Sequence, residues 1–195
     1  MGPVLRDLYF YPLAAALIAG MVAFALSFGG GDALSDEERI REGWTLEGEA
    51  LRNLIASPGT DMDYVAEGNG FVRLSANIAY GADGRPTPGV YAALGPDFER
   101  TFAGRSLRIT MRARRPGGNG LDAFESAYFP IEGPASPWAV FQLGDDWEDF
   151  SYTFTPPIVA SKPNTDLVSV YPGKAGENRP MDLARFRIEV VGEGD

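Results

Sequence analysis

From Trp44 onward the chain breaks into short segments in which apolar and polar residues alternate, divided by glycine and proline. Alternation with a period of two fits a strand that buries one face and rules against an amphipathic helix, whose apolar residues recur about every three to four positions. Val72, Leu74, Ala76 and Ile78 share one face against Phe71, Arg73, Ser75 and Asn77, and the Gly-, Asp- and Pro-rich stretch from Gly81 to Gly89 then reads as a loop. Val90 to Leu94 forms another strand, and from Leu107 to Arg115 the apolar Leu107, Ile109, Met111 and Ala113 alternate with Arg108, Thr110, Arg112 and Arg114. Pro116-Gly117-Gly118-Asn119-Gly120 is a turn.

Further strands are expected at Ala123 to Phe129, at Trp138 to Leu143 as a mostly buried segment, and at Trp147 to Thr155 with Phe150, Tyr152 and Phe154 on one face. Gly144-Asp145-Asp146 reads as a tight turn between the last two. Leu167 to Tyr171 and Leu183 to Val191 close the series, the latter with Phe186, Ile188 and Val190 opposite Arg185, Arg187 and Glu189. Eight or nine short strands at such spacing predict an all-β fold, an antiparallel β-sandwich with jelly-roll-like connections, over residues 44–195. That length suffices for one domain with a proper core.

Ahead of it lies a different kind of sequence. Phe10 to Phe28 carries no charge, follows Arg6, and ends at Gly29-Gly30-Gly31-Asp32. A bilayer core about 30 Å thick takes roughly 20 apolar residues, so residues 1–31 read as one N-terminal transmembrane helix, with Tyr9, Phe10 and Tyr11 at an aromatic belt. Arg6 before the run and Asp32, Asp36, Glu37 and Glu38 after it place the N-terminus in the cytoplasm and the domain in the periplasm or outside, beyond an inner membrane. The rival reading is a signal peptide cleaved after Ala23-Phe24-Ala25; both readings export the same domain. Ala15, Ala19 and Ala23, like Ala16 and Gly20, recur every fourth residue, the spacing that lets membrane helices pack closely. Between anchor and sandwich, residues 32–43 form a short linker in which Ser35 and Glu38 make a capping-box pattern for a helix ending by Gly43.

Composition excludes much chemistry. The chain has no cysteine and no histidine, so it has no disulfide framework, thiolate nucleophile, Ser/His/Asp triad or usual zinc site. Its formal charge of −10 repels nucleic acid. The densest basic stretch, Arg108, Arg112, Arg114 and Arg115, is explained by the outer face of a strand.

Three stretches resemble the β-sandwich superfamily of carbohydrate-binding modules and galactose-binding-like domains. Gly104-Arg105-Ser106-Leu107-Arg108-Ile109-Thr110-Met111-Arg112-Ala113 is similar to its glycine, basic residue and alternating-strand segment, and Gly144-Asp145-Asp146-Trp147-Glu148-Asp149-Phe150-Ser151-Tyr152-Thr153-Phe154 to its turn-Trp strand. The closing strand from Leu183 falls where the family ends. The resemblance implies a jelly-roll sandwich that binds saccharides, peptides or envelope components without catalysis, with Trp147 as a core residue. It also implies a structural calcium near the last strand, for which Asp182 is the nearby candidate.

Sugar rings stack on aromatic faces, with amides and carboxylates for the hydroxyls, and Trp44, Tyr91, Tyr128 and Trp138 are the candidate stacking residues. Asp145, Asp146, Glu148 and Asp149 form the tightest acidic cluster. Asp145 and Asp146 are candidate calcium ligands there, although the spacing is not that of an EF-hand loop. Carboxylates so close on a hairpin turn are poorly placed for glycoside hydrolysis, which uses an acid and a nucleophile across a cleft, so no catalytic residue and no obligatory cofactor is expected. About a dozen residues separate Asp32 from Trp44, which keeps the sandwich close to the bilayer. The expected function is therefore an accessory or assembly subunit beside another membrane or envelope protein. The alternative is a module that binds envelope glycans, and the remote one a carboxylate-based glycosidase.

Overall fold

The computed structural model describes residues 35–77, 88–158, 165–173 and 178–192. Their elements belong to one unit, Asp36–Asp195. The apolar run at residues 10–28 lies outside the described residues, together with Ala15, Ala16, Ala19, Gly20 and Ala23. Among the described residues no helix is long and apolar enough to cross a membrane.

Among the described residues eleven strands form two sheets, and every pair is antiparallel. In chain order they are β1 (Trp44–Glu47), β2 (Ile55–Ala56), β3 (Thr60–Val65), β4 (Phe71–Ala76), β5 (Val90–Leu94), β6 (Leu107–Arg114), β7 (Ala123–Phe129), β8 (Ala139–Gln142), β9 (Glu148–Phe154), β10 (Asp166–Tyr171) and β11 (Met181–Val190). The larger sheet runs β3-β4-β11-β6-β9, with β1 also paired to β11, and the smaller runs β2-β5-β10-β7-β8. The chain changes sheet after every strand except β3 and β7, so the architecture is an antiparallel β-sandwich. The expected segments fall on β4 to β11. Missing from the expectation are β1, the two-residue β2, and β3, whose Asp61 and Asp63 make it look like loop.

Inward residues alternate as predicted: Val72, Leu74 and Ala76 from β4, and Leu107, Ile109, Met111 and Ala113 from β6, all buried. Phe150, Tyr152 and Phe154 of β9 stand opposite Met111, Ile109 and Leu107. From the smaller sheet come Val90, Ala92 and Leu94, with Val168 and Val170 beside them. Phe124 bridges the layers, its ring 5.2 Å from Phe141 and 5.3 Å from Phe150. The segment at β8, expected to be mostly buried, buries one face only, and Val140 is 60% exposed.

β11 holds the larger sheet together, bonding β6 along one edge and both β4 and β1 along the other. Its pattern contains a fault: Met181 and Leu183 face inward, and so do Phe186 and Ile188, which have the opposite parity. The register jumps between Leu183, opposite Ala113, and Arg185, opposite Arg112. Ala184 is therefore the extra residue of a β-bulge, which restores an apolar inner face after a one-residue slip.

Gly144-Asp145-Asp146 does not close a hairpin, since β8 and β9 lie in different sheets. It turns a corner of the sandwich, pinned by Arg115, whose backbone N–H donates to the Gly144 carbonyl at 2.7 Å. Helix α1 (Asp36–Glu42) starts after Ser35 and stops at Gly43, with φ of +70°. A Cβ there would run into the Ile188 carbonyl oxygen, so only glycine lets the chain turn this close to β11. Arg39 of α1 is buried and reaches Asp97 of α2 (Pro96–Phe102) at 3.4 Å, tying the two short helices together.

Deleting Ala184 should place either Met181 and Leu183 or Phe186 and Ile188 on the outer face. The deletion variant is expected to lose the cooperative thermal transition in circular dichroism, while Ala184→Gly keeps it.

Candidate functional site

The outer face of the smaller sheet is rich in aromatic and apolar side chains. Strand register sets Ile55, Tyr91, Ser169 and Ala127 in a row across four strands. Phe129 shares this face opposite Leu167, as does Tyr171 opposite Glu125. In the middle sit Ser169 and Ala127, small and closed to solvent. Trp138, just ahead of β8, meets the Phe129 ring edge-on at 5.6 Å and the Tyr171 ring at 6.2 Å. Tyr91 and Trp138, both half-buried, thus flank the Ser169–Ala127 pair.

At the end of this face a recess of about 250 Å³ is lined by Asp122, Glu125, Val140 and Arg179 among others. Among the described residues the Glu125 carboxylate has no hydrogen-bond or ion-pair partner, so it is available as an acceptor. Arg179 is held in place by Asp122 at 2.8 Å and by the Gly120 carbonyl. Aromatic faces beside a carboxylate and a guanidinium match a sugar, which offers C–H faces and hydroxyls together.

The other two aromatic candidates lie elsewhere. Trp44 stands opposite Ile188 and packs at the core margin. Tyr128 is fully buried; its hydroxyl donates to Asp166 Oδ2 at 2.7 Å, while Asp166 Oδ1 accepts from the Ile131 N–H at 2.9 Å. Burial first, and the Asp166 carboxylate next, push the Tyr128 phenol far above its ordinary value. Tyr152, inside the same layer, is pushed up to about 12 by burial. These phenols stay protonated and are structural: Tyr128 donates to Asp166, while Tyr152 accepts from Ser126 Oγ at 3.4 Å.

Of the acidic candidates, Asp145, Asp149 and Asp182 are engaged by arginines, and Asp146 is exposed on the turn. Asp145 accepts from Arg115 at 2.7 Å, and Arg115 also holds Asp122 at 2.9 Å. Hydrogen bonds from Arg179 and Arg115 hold Asp122 below its ordinary value of 3.8, and Arg115 does the same to Asp145. Asp182 has no solvent exposure; Arg73 binds it with both ends, at 2.8 and 3.1 Å, and Arg114 adds a contact at 3.2 Å. That bond is the main reason the Arg73 guanidinium is raised above its ordinary value. Among the described residues no three carboxylates come together as a metal site.

Trp147 is not in the core. Its parity is that of Asp149 and Ser151, opposite to the inward Phe150, so it lies on the outer face of the larger sheet. There it packs edge-on against Phe71 at 5.6 Å, with the Arg114 guanidinium 4.5 Å above its ring. Both rings line a cleft of about 790 Å³ that also takes in Arg112, Ala184 and Arg185.

With this geometry in place, the backbone is similar to solved carbohydrate-binding modules. The C-terminal family 22 carbohydrate-binding module of Clostridium thermocellum Xyn10B aligns at a TM-score of 0.55 and 14% identity, over 77% of this chain and 94% of that one. Two xylan-binding domains of Paenibacillus barcinonensis Xyn10C align likewise. One gives a TM-score of 0.56 at 11% identity, covering 76% of this chain and 99% of its own. The other gives 0.52 at 12%, covering 76% and 93%. The chain therefore has the β-sandwich fold of the carbohydrate-binding modules, as its turn-Trp and closing strands implied; at these identities the likeness is one of fold. No protein-family model matches the chain, and no curated protein matches it significantly.

Neither Glu125 nor Arg179 stands out in the sequence, since their meeting depends on the β7–β8 pairing and on the corner around Asp122. Two outcomes check the charge pattern. Asp182→Ala leaves Arg73 and Arg114 facing water and should cost about 2 kcal/mol in chemical denaturation, with Arg73→Gln costing less because Arg114 remains. The Arg115 corner has native carboxyls titrating below the unfolded value of 3.8. Its contribution is complete above that pH and drains away as the pH falls through the lowered native values, so Arg115→Gln should narrow the stability gap between pH 6 and pH 3, measured by thermal melts.

Proposed function

We propose that this protein is a non-catalytic saccharide-binding module whose glycan lies across the outer face of the smaller sheet. The observation that carries the reading is the pairing of half-exposed Tyr91 and Trp138 with the Glu125–Arg179 recess, on a fold shared with modules described as xylan-binding. Tyr91 is on β5, and Trp138 packs over Phe129 of β7 and Tyr171 of β10, so the two rings share a face that runs across neighbouring strands. Stacking supplies the apolar contact, and Glu125 and Arg179 accept from and donate to hydroxyls. Asp122, the other carboxylate of the recess, is held by Arg115 and Arg179, which supports binding without hydrolysis. In the same reading residues 10–28 hold the module at a membrane, with the uncharged run itself as the support, and the glycan is one of the cell envelope.

Titration of the full-length chain with xylo-, cello- and manno-oligosaccharides, followed by tryptophan fluorescence, tests this. At least one series should bind, and Trp138→Ala and Tyr91→Ala should each weaken it by about 1–2 kcal/mol. Binding that survives both substitutions unchanged, or no binding by any series, overturns the reading and returns attention to an assembly role beside another envelope protein.

A further inference from the structure

The cleft on the opposite sheet has a charge pattern of its own. Asp182 is shared by Arg73 and Arg114, and Asp149 by Arg185, at 3.0 and 3.1 Å, and Arg112, at 3.4 Å. Four guanidinium groups thus answer to two carboxylates on the floor, and among the described residues the two remaining positive charges are faced only by the rim carboxylates Glu47 and Glu67. This excess also leaves donors spare. Arg185 keeps its Nε buried without a hydrogen-bond partner, and Arg112 spends one terminal nitrogen on a long contact. The buried Arg185 Nε carries a desolvation cost, and the exposed Arg112 guanidinium has N–H groups open to an acceptor entering the cleft.

The bulge makes the room. Ala184, the residue it inserts into β11, lines the cleft between the arginine pairs with no more than a methyl group. On one side stand Trp147 and Phe71; on the rim the exposed Glu47 and Glu67 face the solvent with Asn69. These rim carboxylates oppose a simple polyanion and, with Asn69, suit hydroxyl groups. A cationic floor, an aromatic wall and a hydroxyl-accepting rim fit one ligand class: a sugar that carries a single carboxylate.

We propose that this cleft is a second binding site, for the uronic acid unit of an acidic saccharide. The carboxylate takes the spare N–H groups of Arg112 and Arg185, the ring lies against Trp147, and the hydroxyls reach Asn69 and Glu67. Arginine suits the task because its planar fork pairs with a carboxylate by two parallel bonds. The site borrows only its ligand class from the saccharide reading of the other face and shares no residue with it.

The full-length chain in detergent micelles, labelled with ¹⁵N at its three tryptophans, Trp44, Trp138 and Trp147, separates the two sites by their indole N–H signals. Galacturonate should shift the Trp147 signal to saturation and leave Trp138 in place, whereas galactose leaves Trp147 unmoved. Arg112→Gln and Arg185→Gln should each weaken galacturonate binding about tenfold, and each variant keeps one arginine on Asp149, so its melting temperature stays close to that of the parent. Trp138→Ala should leave galacturonate binding intact. The proposal fails if galacturonate does not move Trp147, if the folded arginine variants bind it as before, or if inorganic phosphate binds equally tightly. A neutral glycan that shifts Trp138 while galacturonate leaves Trp147 silent sinks this site alone; the reverse sinks the reading of the smaller sheet alone.

Discussion

The larger sheet depends on one strand meeting three partners. β11 bonds β6 along its length and divides its other edge between β4 and β1. A ten-residue strand in that position cannot keep one straight register and also put an apolar residue inward at each paired site. The bulge at Ala184 resolves the conflict by adding a residue that points outward and resetting the parity beyond it. The core then receives Met181 and Leu183 from one half and Phe186 and Ile188 from the other. The outer face receives the charged residues, Asp182 before the bulge and Arg185 and Arg187 after it.

That arrangement explains why a carboxylate with no solvent exposure is tolerated. Asp182 sits on the outside of the sheet, yet Arg73 and Arg114 cover it from the strands on either side. Removing an ion from water is costly, and bidentate pairing plus a second cation offsets that cost. The same cross-strand logic repeats at Asp149, where Arg112 and Arg185 meet. Both pairs come from residues far apart in sequence that register alone brings together.

Alternation made the strands legible, most plainly in β6 and in β9 from Asp149 onward, where inward and outward residues follow strict parity. The same parity predicts that Trp147 points outward, although the family resemblance implied a core position. What alternation could not reveal is which strands share a sheet. Gly144-Asp145-Asp146 has the composition of a hairpin turn, yet it joins strands of different sheets. Among the aromatic candidates, Tyr91 and Trp138 lie on an outer face and Tyr128 lies inside, a distinction set by the pairing of β7 with β10. Glu125, Arg112 and Arg185 were not legible as sites because each sits on an ordinary solvated position of its own strand, and Arg179 because it lies in the connection ahead of β11. Their proposed roles arise from neighbours dozens of residues away.

Among the described residues, every ion pair uses arginine as its cation. Arginine keeps its proton at any biological pH, the carboxylates lose theirs in the acid range, and the chain has no histidine or cysteine to titrate between. The electrostatic landscape of both outer faces is therefore constant from mildly acidic to mildly alkaline solution and indifferent to redox state. Under the proposed reading, the occupancy of such faces would be governed by how much ligand is present and not by the acidity of the compartment that surrounds it.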